Sequence, residues 1–512
     1  MEELDPSQRA FCEAPIGDVR LLAPAGCGKT LCLLYRCIHL ARQGRPRRSR
    51  FLIVTFTVAA KQELLTRLHD DSQFAEIREA IEITTLNSWG FRRIKNATIS
   101  PKLITSKADY HFAMLNQLQP IWQKHESLKR SIQSANRWKK SNAPQKLLKV
   151  MDAFKSLGFD HIRHSNFKQF ERHVEELHKQ GLSWKLKEQL EALASLDVLD
   201  VSVDESGQEV LRNGNSTTFE QFFKFWLEGV SHLMSNATFT LEDQKYFAFI
   251  DARENIEQGQ LLSGAASYDH VFVDEFQDIN PLDLALIKAI VERNRATLTI
   301  AGDDDQAIFE WRGASPEYIL EPEDYFKSRF ETFTLSVNYR SPHNIVEKSQ
   351  QLIANNMRRV PKQISASSSK DAQIDIKRTD GPIASLQYVS NMIEESITQS
   401  KSPSRIAIIG RKRAQIIPYQ VHFASKEIAF CAAEDLQVFL GNAFDKLLDL
   451  LLIKTRSRVR QRKSQVVNDL IELCDLVKRY PLNKKDKQSL RKFLQQCNLR
   501  DVFSASDTLA NY

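Results

Sequence analysis

Cysteine is scarce in this chain, with 7 residues among 512. Folds that depend on disulfides are much richer in cysteine, so the sequence excludes a disulfide framework. Cys27, Cys32 and Cys37 recur every five residues, which is not the spacing of a zinc site. One of them, Cys27, lies in a glycine-containing loop, and we predict small buried hydrophobic residues on a helix rather than a metal site.

Long hydrophobic runs are also missing. No apolar run of the sequence reaches the ~18 residues of a membrane span. The N-terminus is acidic at Glu2 and Glu3 and lacks the apolar core of a signal peptide. These absences predict a cytoplasmic protein with no membrane partner.

The net charge of +7 is mild, but the basic residues are unevenly distributed. Basic clusters that contain aromatic residues are typical of nucleic-acid surfaces, and a solvated helix face explains either cluster taken alone equally well. The first cluster lies beside Trp122 and Trp138 and comprises Arg130, Arg137, Lys139, Lys140, Lys146 and Lys149. The second comprises Arg456, Arg458, Arg460, Arg462 and Lys463.

Strand and helix patterns alternate in the first part of the chain. Helical spacing covers Leu31 to Arg42 and a second stretch that ends at Leu68. Strands separated by helices predict an α/β fold with a parallel sheet that is covered on both faces. The predicted strands are Val19–Leu22, Phe51–Val54, Ile81–Thr85, Val271–Val273 and Leu298–Ala301.

The remaining sequence changes character twice. Residues 90–260 are rich in Lys, Gln, His and Leu at helical spacing, which predicts a mainly helical insertion within the sheet domain. A third section starts near Leu335. We predict a loop or connector at Ser365–Lys370, a strand at Ile406–Ile409 and a buried helix at Phe439–Ile453.

The segment from Ala23 to Thr30 has the strand–loop–helix context of a phosphate-binding loop. Gly26 and Gly28 allow the backbone N–H groups to face inward, and the following helix presents its N-terminus to the phosphates. Lys29 is expected to contact the β- and γ-phosphates, and Thr30 to offer its hydroxyl to Mg²⁺. The alternative is a glycine-rich turn with an incidental lysine, and Ala23 stands where the common pattern has glycine.

Two adjacent carboxylates follow the apolar run that ends at Val273. Ligands bind at the carboxyl ends of strands in open α/β sheets, so Asp274 can hold Mg²⁺ and Glu275 can act as general base on the attacking water. Gln277 and Asp278 are candidates for sensing the γ-phosphate. A polar turn is the alternative, but the phosphate-binding loop upstream favours an ATPase.

Further motifs, in the same order, resemble those of superfamily 1 DNA helicases of the UvrD, Rep and PcrA type. The resemblance runs from about Leu4 to about Ile453. By resemblance, Gln8 reads adenine and Phe56, in Thr-Phe-Thr, contacts single-stranded DNA. Thr85 and Asn87 lie where the family usually has Thr-Phe-His, also at the DNA site.

The longest match to the family is the stretch from Gly302 to Ala314. By resemblance, Gln306 links the γ-phosphate to the DNA site, and Phe309 and Trp311 stack on bases. Such stacking contributes ~1–3 kcal/mol per base in any sequence context. The crowding of these rings with Arg312 in one loop also favours base contact, with a core anchor as the alternative for Phe309.

The segment Asn338–Ser341 matches the family's Asn-Tyr-Arg-Ser, which opens the second motor lobe. By resemblance, Tyr339 stacks on adenine and Arg340 reaches the γ-phosphate as an arginine finger. A surface ion pair is the alternative for Arg340. Leu31 stands where the family often has an arginine against the adenine.

The resemblance implies a RecA-like P-loop NTPase fold with ATP and Mg²⁺ as cofactors. It assigns residues 1–90 and 261–334 to the first, ATP-binding lobe and residues 91–260 to a helical insertion that contacts DNA. Residues 335–453 would form a partial second RecA-like lobe, and residues 454–512 a basic helical segment.

Two later family motifs are not recognisable: His-x-x-Lys-Gly-Leu-Glu, and a motif with Thr-Arg that supplies a second arginine. The nearest string, Lys454–Ser457, directly follows a predicted helix. The second lobe is therefore expected to be incomplete. The chain is a truncated product, a partner chain (a nuclease or the missing helicase half) completes it, or the protein has kept nucleotide binding without unwinding. We expect truncation, because the first lobe retains every catalytic residue.

The leading hypothesis is an ATP-dependent helicase or translocase that moves 3′ to 5′ on single-stranded or partly single-stranded DNA, in repair, recombination or phage defence. The alternative is a nucleotide-gated DNA-binding subunit with little turnover by itself. The expected catalytic residues are Lys29, Asp274, Glu275, Gln306 and Arg340, with Thr30 and Asp274 as metal ligands. The expected nucleotide-binding residues are Gln8, Ala23, Pro24, Ala25, Gly26, Cys27, Gly28, Lys29, Thr30 and Tyr339. The expected DNA-binding residues are Phe56, Thr85, Asn87, Phe309, Trp311 and Arg312.

Overall fold

The computed structural model divides the chain into two compact units, Met1–Gln373 and Ile374–Tyr512. The residues it describes are 4–43, 49–97, 102–103, 143–182, 216–257 without 241, 267–399 and 406–431 without 427 and 429, with short pieces within 114–124, 184–188 and 487–492. The helix predicted at Phe439–Ile453 and the basic residues 456–463 lie outside this part, as do the side chains of the first basic cluster. None of the described helices is long and apolar enough to cross a membrane.

A six-stranded parallel sheet forms the centre of the first unit, as the strand and helix patterns predict. The strands of the unit are β1 (Val19–Leu22), β2 (Phe51–Thr55), β3 (Ile81–Thr85), β4 (Lys102–Leu103), β5 (Thr238–Phe239), β6 (His270–Val273), β7 (Thr297–Gly302), β8 (Glu331–Thr334), β9 (Val337–Asn338) and β10 (Ser365–Ala366). The strand order in the main sheet is β3-β2-β6-β7-β1-β8, and β4 with β5 and β9 with β10 form two short parallel pairs.

The helices of the first unit connect these strands and cover the sheet. They are α1 (Pro6–Cys12), α2 (Lys29–Gln43), α3 (Val58–Asp70), α4 (Leu86–Ala97), α5 (Gln119–Trp122), α6 (Ala143–Ser156), α7 (Phe167–Lys179), α8 (Ser216–Ser235), α9 (Asp243–Glu257), α10 (Pro281–Asn294), α11 (Glu317–Leu320), α12 (Pro322–Phe326) and α13 (His343–Ile353). Single 3₁₀ turns span Ser72–Phe74, Phe276–Asp278, Asp304–Gln306 and Glu310–Arg312.

Alternation along the buried strands builds a hydrophobic core on each face of the sheet. In β2, Phe51 and Ile53 pack into one core with residues of α1, α2 and α3. Leu52 and Val54 point to the other face and pack with residues of α4 and α10. Since side chains alternate with a period of two, a strand that is apolar throughout must be covered on both faces.

The register of the sheet fixes where the polar residues after the strands emerge. Leu22 pairs with Gly302, and Val54 pairs with Val273. The carboxyl ends of β1, β2, β6 and β7 therefore meet at one edge. This edge carries the loop after β1 and the carboxylates after β6.

The insertion between β3 and β6 has its own core, in which Phe154, Phe159, Phe170 and Trp226 are buried. Its helix α9 packs against α4 and α10. Two ion pairs with little exposure accompany this packing, Lys155 Nζ to Asp243 at 2.6 Å and Lys245 Nζ to Asp283 at 2.8 Å. Asp283 belongs to α10, so the second pair ties the insertion to the helix that follows the acidic pair.

The predicted loop at Ser365–Lys370 begins with a strand instead. Ser365 N donates to Ser336 O at 2.8 Å, and Ser367 N donates to Asn338 O at 2.9 Å. The serine-rich sequence concealed this pairing because a two-residue strand depends on its partner and not on local propensity.

The second unit contains α14 (Pro382–Gln399) and α15 (Arg413–Ser425) among its described residues. The Lys426 ammonium contacts Glu394 Oε1 at 2.8 Å. The strand predicted at Ile406–Ile409 is wrong, because this stretch is irregular and Ile409 is 92% exposed. No described strand pairs with it, and an unpaired segment has no ladder of hydrogen bonds to keep it extended.

The contact between α4 and α9 gives a stability prediction. A Cβ added to Gly90 would lie 2.8 Å from the carbonyl carbon of Gln244, a backbone atom that cannot rotate away. We expect Gly90→Ala to lower the free energy of unfolding by roughly 1–3 kcal/mol, despite the better helix propensity of alanine. Gly17→Ala is the control, because nothing lies within 4 Å of that Cβ. Equal denaturant midpoints for the two variants would contradict the packing described here.

Candidate nucleotide and DNA site

The loop between β1 and α2 has the backbone conformation expected of a phosphate cradle. Ala23 N donates to Gly302 O at 2.8 Å, which extends the sheet contact, and α2 begins at Lys29. Gly26 and Gly28 have φ angles of 77° and 82°, in the left-handed region where a side chain is strained. The predicted loop therefore has glycine at the two positions that need it.

Two predicted nucleotide-site residues approach this loop closely. A Cβ on Gly26 would lie 2.7 Å from Arg340 Cβ, and a Cβ on Gly28 would lie 2.8 Å from Gln8 Nε2. Asn338 Nδ2 donates to Ala25 O at 2.6 Å. The segment after β8 is thus held against the loop that starts after β1.

Gln8 is buried, and its amide joins the first helix to the loop. Its Nε2 donates to Cys27 O at 3.0 Å, and its Oε1 accepts from Asp5 N at 3.2 Å. The Tyr339 hydroxyl donates to Asp5 Oδ2 at 2.8 Å. Partial burial and this hydrogen bond to Asp5 raise the pKa of Tyr339 to about 12. Asp5, which sequence reasoning missed, therefore links the two residues predicted to contact adenine.

Lys29 bridges the acidic pair. Its Nζ lies 2.8 Å from Asp274 Oδ1 and 2.7 Å from Glu275 Oε1. Burial favours the neutral amine, but the two carboxylates outweigh it and raise the pKa of Lys29. Burial raises the pKa of Asp274 despite the attraction of Lys29. Burial acts the same way on Glu275, where Lys29 and a hydrogen bond from Gln277 prevail and lower the pKa.

Glu275 adopts a left-handed backbone conformation, with φ 52° and ψ 47°. For a residue other than glycine such a conformation costs of order 1–3 kcal/mol and clusters at functional sites. Gln277 Nε2 donates to Glu275 Oε2 at 2.9 Å, and Asp303 N donates to Gln277 Oε1 at 3.1 Å. Gln277 therefore connects the end of β6 to the end of β7.

The connection continues to Gln306. Its Nε2 donates to Asp303 Oδ2 at 2.7 Å. A chain of contacts thus runs from Lys29 through Glu275, Gln277 and Asp303 to Gln306. Gly302 makes this possible, since a Cβ there would collide with Gln277 Oε1 and lie 2.8 Å from Ile319 Cδ1. Sequence reasoning missed the linking roles of Gln277 and Gly302, although both lie inside the motifs.

A cleft of about 800 Å³ opens beside the acidic pair. Asp274 and Asp278 line it together with predicted DNA residues and residues of α6 of the insertion. The Phe56 and Phe309 ring centroids are 5.7 Å apart, and Arg312 Cζ lies 5.7 Å from the Phe309 centroid. The DNA-site candidates that line the cleft are Phe56, Thr85, Asn87 and Arg312. The side chain of Trp311 lies outside the described part of the chain.

The donors at the acidic pair fit a bound Mg²⁺. Thr30 follows Lys29 at the start of α2, and its hydroxyl and the Asp274 carboxylate are hard oxygen ligands of the kind that Mg²⁺ prefers. The Lys29 ammonium lies between Asp274 and Glu275 and offsets one of their two negative charges, so this edge already holds one cation.

The environment of the Asp278 carboxyl group should make the stability of the protein depend on pH. Burial and the nearby Glu275 carboxylate raise the pKa of Asp278 to about 7, and its Oδ1 has no hydrogen-bond partner among the described residues. The folded pKa exceeds the unfolded value of ~3.9, so the free energy of unfolding falls as pH rises from about 4 to about 7.

The neutral Asp278→Asn variant should therefore have a higher Tm than wild type at pH 8, and this advantage should shrink toward pH 4. The exposed-site variant Asp324→Asn serves as the control. Thermal unfolding without nucleotide measures both, and a pH-independent difference would argue against a buried carboxyl that titrates near neutrality.

These features define the chain as a RecA-like α/β protein with a candidate phosphate-binding loop. Residues 4–327 match the profile of the UvrD/REP helicase N-terminal domain, and residues 333–500 match that of the UvrD-like helicase C-terminal domain. The chain therefore belongs to the UvrD/REP helicase family, which confirms the resemblance drawn from its motifs.

Named relatives agree with this family. The chain is 27% identical over 412 residues to "Probable DNA helicase II homolog" of Mycoplasma capricolum. The aligned region is 80% of this chain and 49% of the relative. It is 26% identical over 361 residues to "ATP-dependent DNA helicase Rep" of Buchnera aphidicola, which covers 70% and 46%. It is 33% identical over 149 residues to "ATP-dependent DNA helicase PcrA" of Bacillus subtilis, which covers 29% and 20%. The chain thus spans about half the length of the first two relatives.

Proposed function

We propose that this chain hydrolyses ATP with Mg²⁺ and uses the energy to move along single-stranded DNA in the 3′ to 5′ direction. The observation that carries the proposal is the chain of contacts from Lys29 to Gln306 beside a cleft lined by Phe56 and Arg312. It runs from a candidate phosphate site to Gln306, three residues before Phe309 of the candidate base-stacking site. Repair, recombination and phage defence are the settings in which such a motor would act.

Hydrolysis would use the residues at the edge of the sheet in separate roles. The backbone N–H groups around Gly26 and Gly28 receive the phosphates, and Lys29 moves from its carboxylate partners to the β- and γ-phosphates. Once Lys29 has moved, Glu275 is free to orient the attacking water and accept its proton. Thr30 and Asp274 would hold Mg²⁺, which would neutralise charge on the phosphate oxygens.

The movement of Lys29 away from Glu275 would also carry a signal from the bound nucleotide to the DNA site. Gln277 holds both Glu275 Oε2 and the backbone of Asp303, and Asp303 holds Gln306. A shift of Glu275 toward the γ-phosphate would therefore displace Gln306 and the loop that carries Phe309. Breaking and re-forming these contacts would change the affinity for DNA once in each cycle of ATP hydrolysis.

Steady-state phosphate release from Mg-ATP, measured with and without a dT oligonucleotide, tests the proposal. We expect turnover that rises with single-stranded DNA and much less with blunt duplex. Nucleotide binding without turnover in either condition would favour the alternative, a nucleotide-gated DNA-binding subunit. Strand displacement from substrates with a 3′ or a 5′ tail would then test the direction.

The stacking site gives a separate prediction. Phe309→Ala should weaken binding of dT oligonucleotides by about 5- to 150-fold, because a base–aromatic stack contributes ~1–3 kcal/mol. ATP affinity without DNA should not change. Fluorescence anisotropy measures the DNA affinity, with Phe326→Ala as a control that removes a phenylalanine ring packed against Phe330. An unchanged dT affinity would remove Phe309 from the DNA site.

A further inference from the structure

Three consecutive carboxylates follow β7. Ligand oxygens of Asp303, Asp304 and Asp305 all lie within 4.8 Å of one another. Like charges this close cannot all ionise without a cation between them. In this structure the cation is a lysine side chain that comes from a segment beyond α13.

Lys362 supplies that cation. Its side chain is fully buried, and its Nζ lies 3.1 Å from Asp303 Oδ1 and 2.9 Å from Asp305 Oδ2, with a further contact to Asp304 Oδ1. The three carboxylates raise the pKa of Lys362 against the opposing effect of burial. The ammonium is therefore charged and central to the cluster.

The residues around Lys362 hold the same cluster. Arg359 makes a forked contact with Asp305, from Nε at 2.9 Å and from Nη2 at 2.8 Å. Val360 N donates to Asp304 Oδ2 at 2.8 Å, and Asn356 Nδ2 donates to Asp305 Oδ1 at 3.1 Å. We call residues 356–362 the clamp segment. A two-bond contact between an arginine and a carboxylate fixes the orientation of the carboxylate as well as its distance.

The cluster in turn sets the position of Gln306. One oxygen of Asp303 contacts Lys362, and the other accepts the hydrogen bond from Gln306 Nε2. Without Lys362, repulsion from Asp304 and Asp305 would rotate or protonate Asp303. Either change would release Gln306, whose exposed side chain makes no hydrogen bond to the described residues other than the one to Asp303.

We propose that Lys362, supported by Arg359, is a positioning residue that holds Gln306 in place through Asp303. This inference rests on the proposed function, because it gives Gln306 a part in ATP turnover. The clamp segment follows Arg340 and α13 in the chain, so it connects the residues after the arginine to the candidate phosphate sensor. Movement of the clamp segment would then change the position of the Gln306 side chain.

The test is the kinetics of DNA-stimulated ATP hydrolysis by Lys362→Met. We expect kcat to fall about tenfold or more while the KM for ATP and nucleotide affinity change less than about twofold, since the loss falls on turnover and not on ground-state binding. In a Gln306→Ala background, Lys362→Met should cause no further fall, because both changes remove the same interaction. A merely structural lysine would add its effect to that of Gln306→Ala.

A matched control comes from the same segment. Arg358 pairs with Glu317 and is 70% exposed, and it does not contact the three carboxylates in the described structure. Arg358→Met should leave kcat unchanged. Lys362→Met leaves buried carboxylates without their cation. The double variant Lys362→Met/Asp304→Asn removes one of these negative charges, and its kcat should still be low.

The outcomes separate the two proposals. A wild-type chain without turnover would overturn the proposed function and this inference with it. Wild-type turnover with an unchanged kcat in Lys362→Met, or with additive effects in the Gln306→Ala background, would overturn the inference alone. If circular dichroism shows that neither Lys362 variant folds, Arg359→Lys provides the test. This variant keeps the positive charge but loses the two-bond contact with Asp305. An unchanged kcat would overturn the inference.

Discussion

The Glu275→Gln variant is expected to bind ATP normally and to hydrolyse it about 10²- to 10⁴-fold more slowly than wild type, the usual contribution of a general base. The amide has the size of the carboxylate and can still accept the hydrogen bond from Gln277. It cannot accept the proton of the attacking water. Single-turnover phosphate release measures the chemical step, and a fluorescent nucleotide measures affinity.

Two observations make this effect specific to Glu275. Against the opposing effect of burial, Lys29 and Gln277 lower the pKa of its carboxylate, so Glu275 is ionised at neutral pH and becomes a stronger base once Lys29 has moved away. Its left-handed backbone commits it to one direction at the edge of the sheet. Glu63→Gln is the control, because Glu63 lies on the exposed face of α3 and pairs with Arg67. Turnover of Glu275→Gln within twofold of wild type would remove Glu275 from the chemistry.

The Arg340→Ala variant is expected to reduce DNA-stimulated turnover by about 10³- to 10⁵-fold, the range found for arginine fingers. The expectation now has a geometric basis, because Arg340 Cβ approaches Gly26 and Tyr339 N donates to Gly26 O at 3.0 Å. If the loop binds phosphates as proposed, a guanidinium that extends from this position would lie beside them. Nucleotide affinity should fall much less than kcat.

Arg340→Lys separates charge from geometry, since lysine keeps the charge but cannot form the planar fork. We expect it to recover only part of the lost turnover. Arg42→Ala is the matched control, because Arg42 pairs with Glu76 on the surface. If Arg340→Ala and Arg42→Ala had the same kcat, Arg340 would be an ordinary surface residue.

Local sequence was sufficient for most of the central sheet. Strands such as Phe51–Thr55 and His270–Val273 are buried at every position and contain a continuous apolar run, which occurs when both faces are covered and requires no knowledge of the partner strand. The glycines of the candidate phosphate-binding loop were also predictable from the sequence, because a left-handed φ angle strongly favours glycine. The same reasoning failed at Ile406–Ile409, because a short apolar run does not indicate whether a partner strand is present.

The sequence by itself thus determined the parallel α/β sheet, the family, and the identity of the residues at the candidate site. Only the tertiary structure decided how these residues are linked. Lys29 with its two carboxylates, Gln277 between two strands, and Lys362 among three aspartates are contacts between segments far apart in the chain. Such contacts depend on distance and direction after folding, and a buried lysine reads in sequence like an exposed one until its partners surround it.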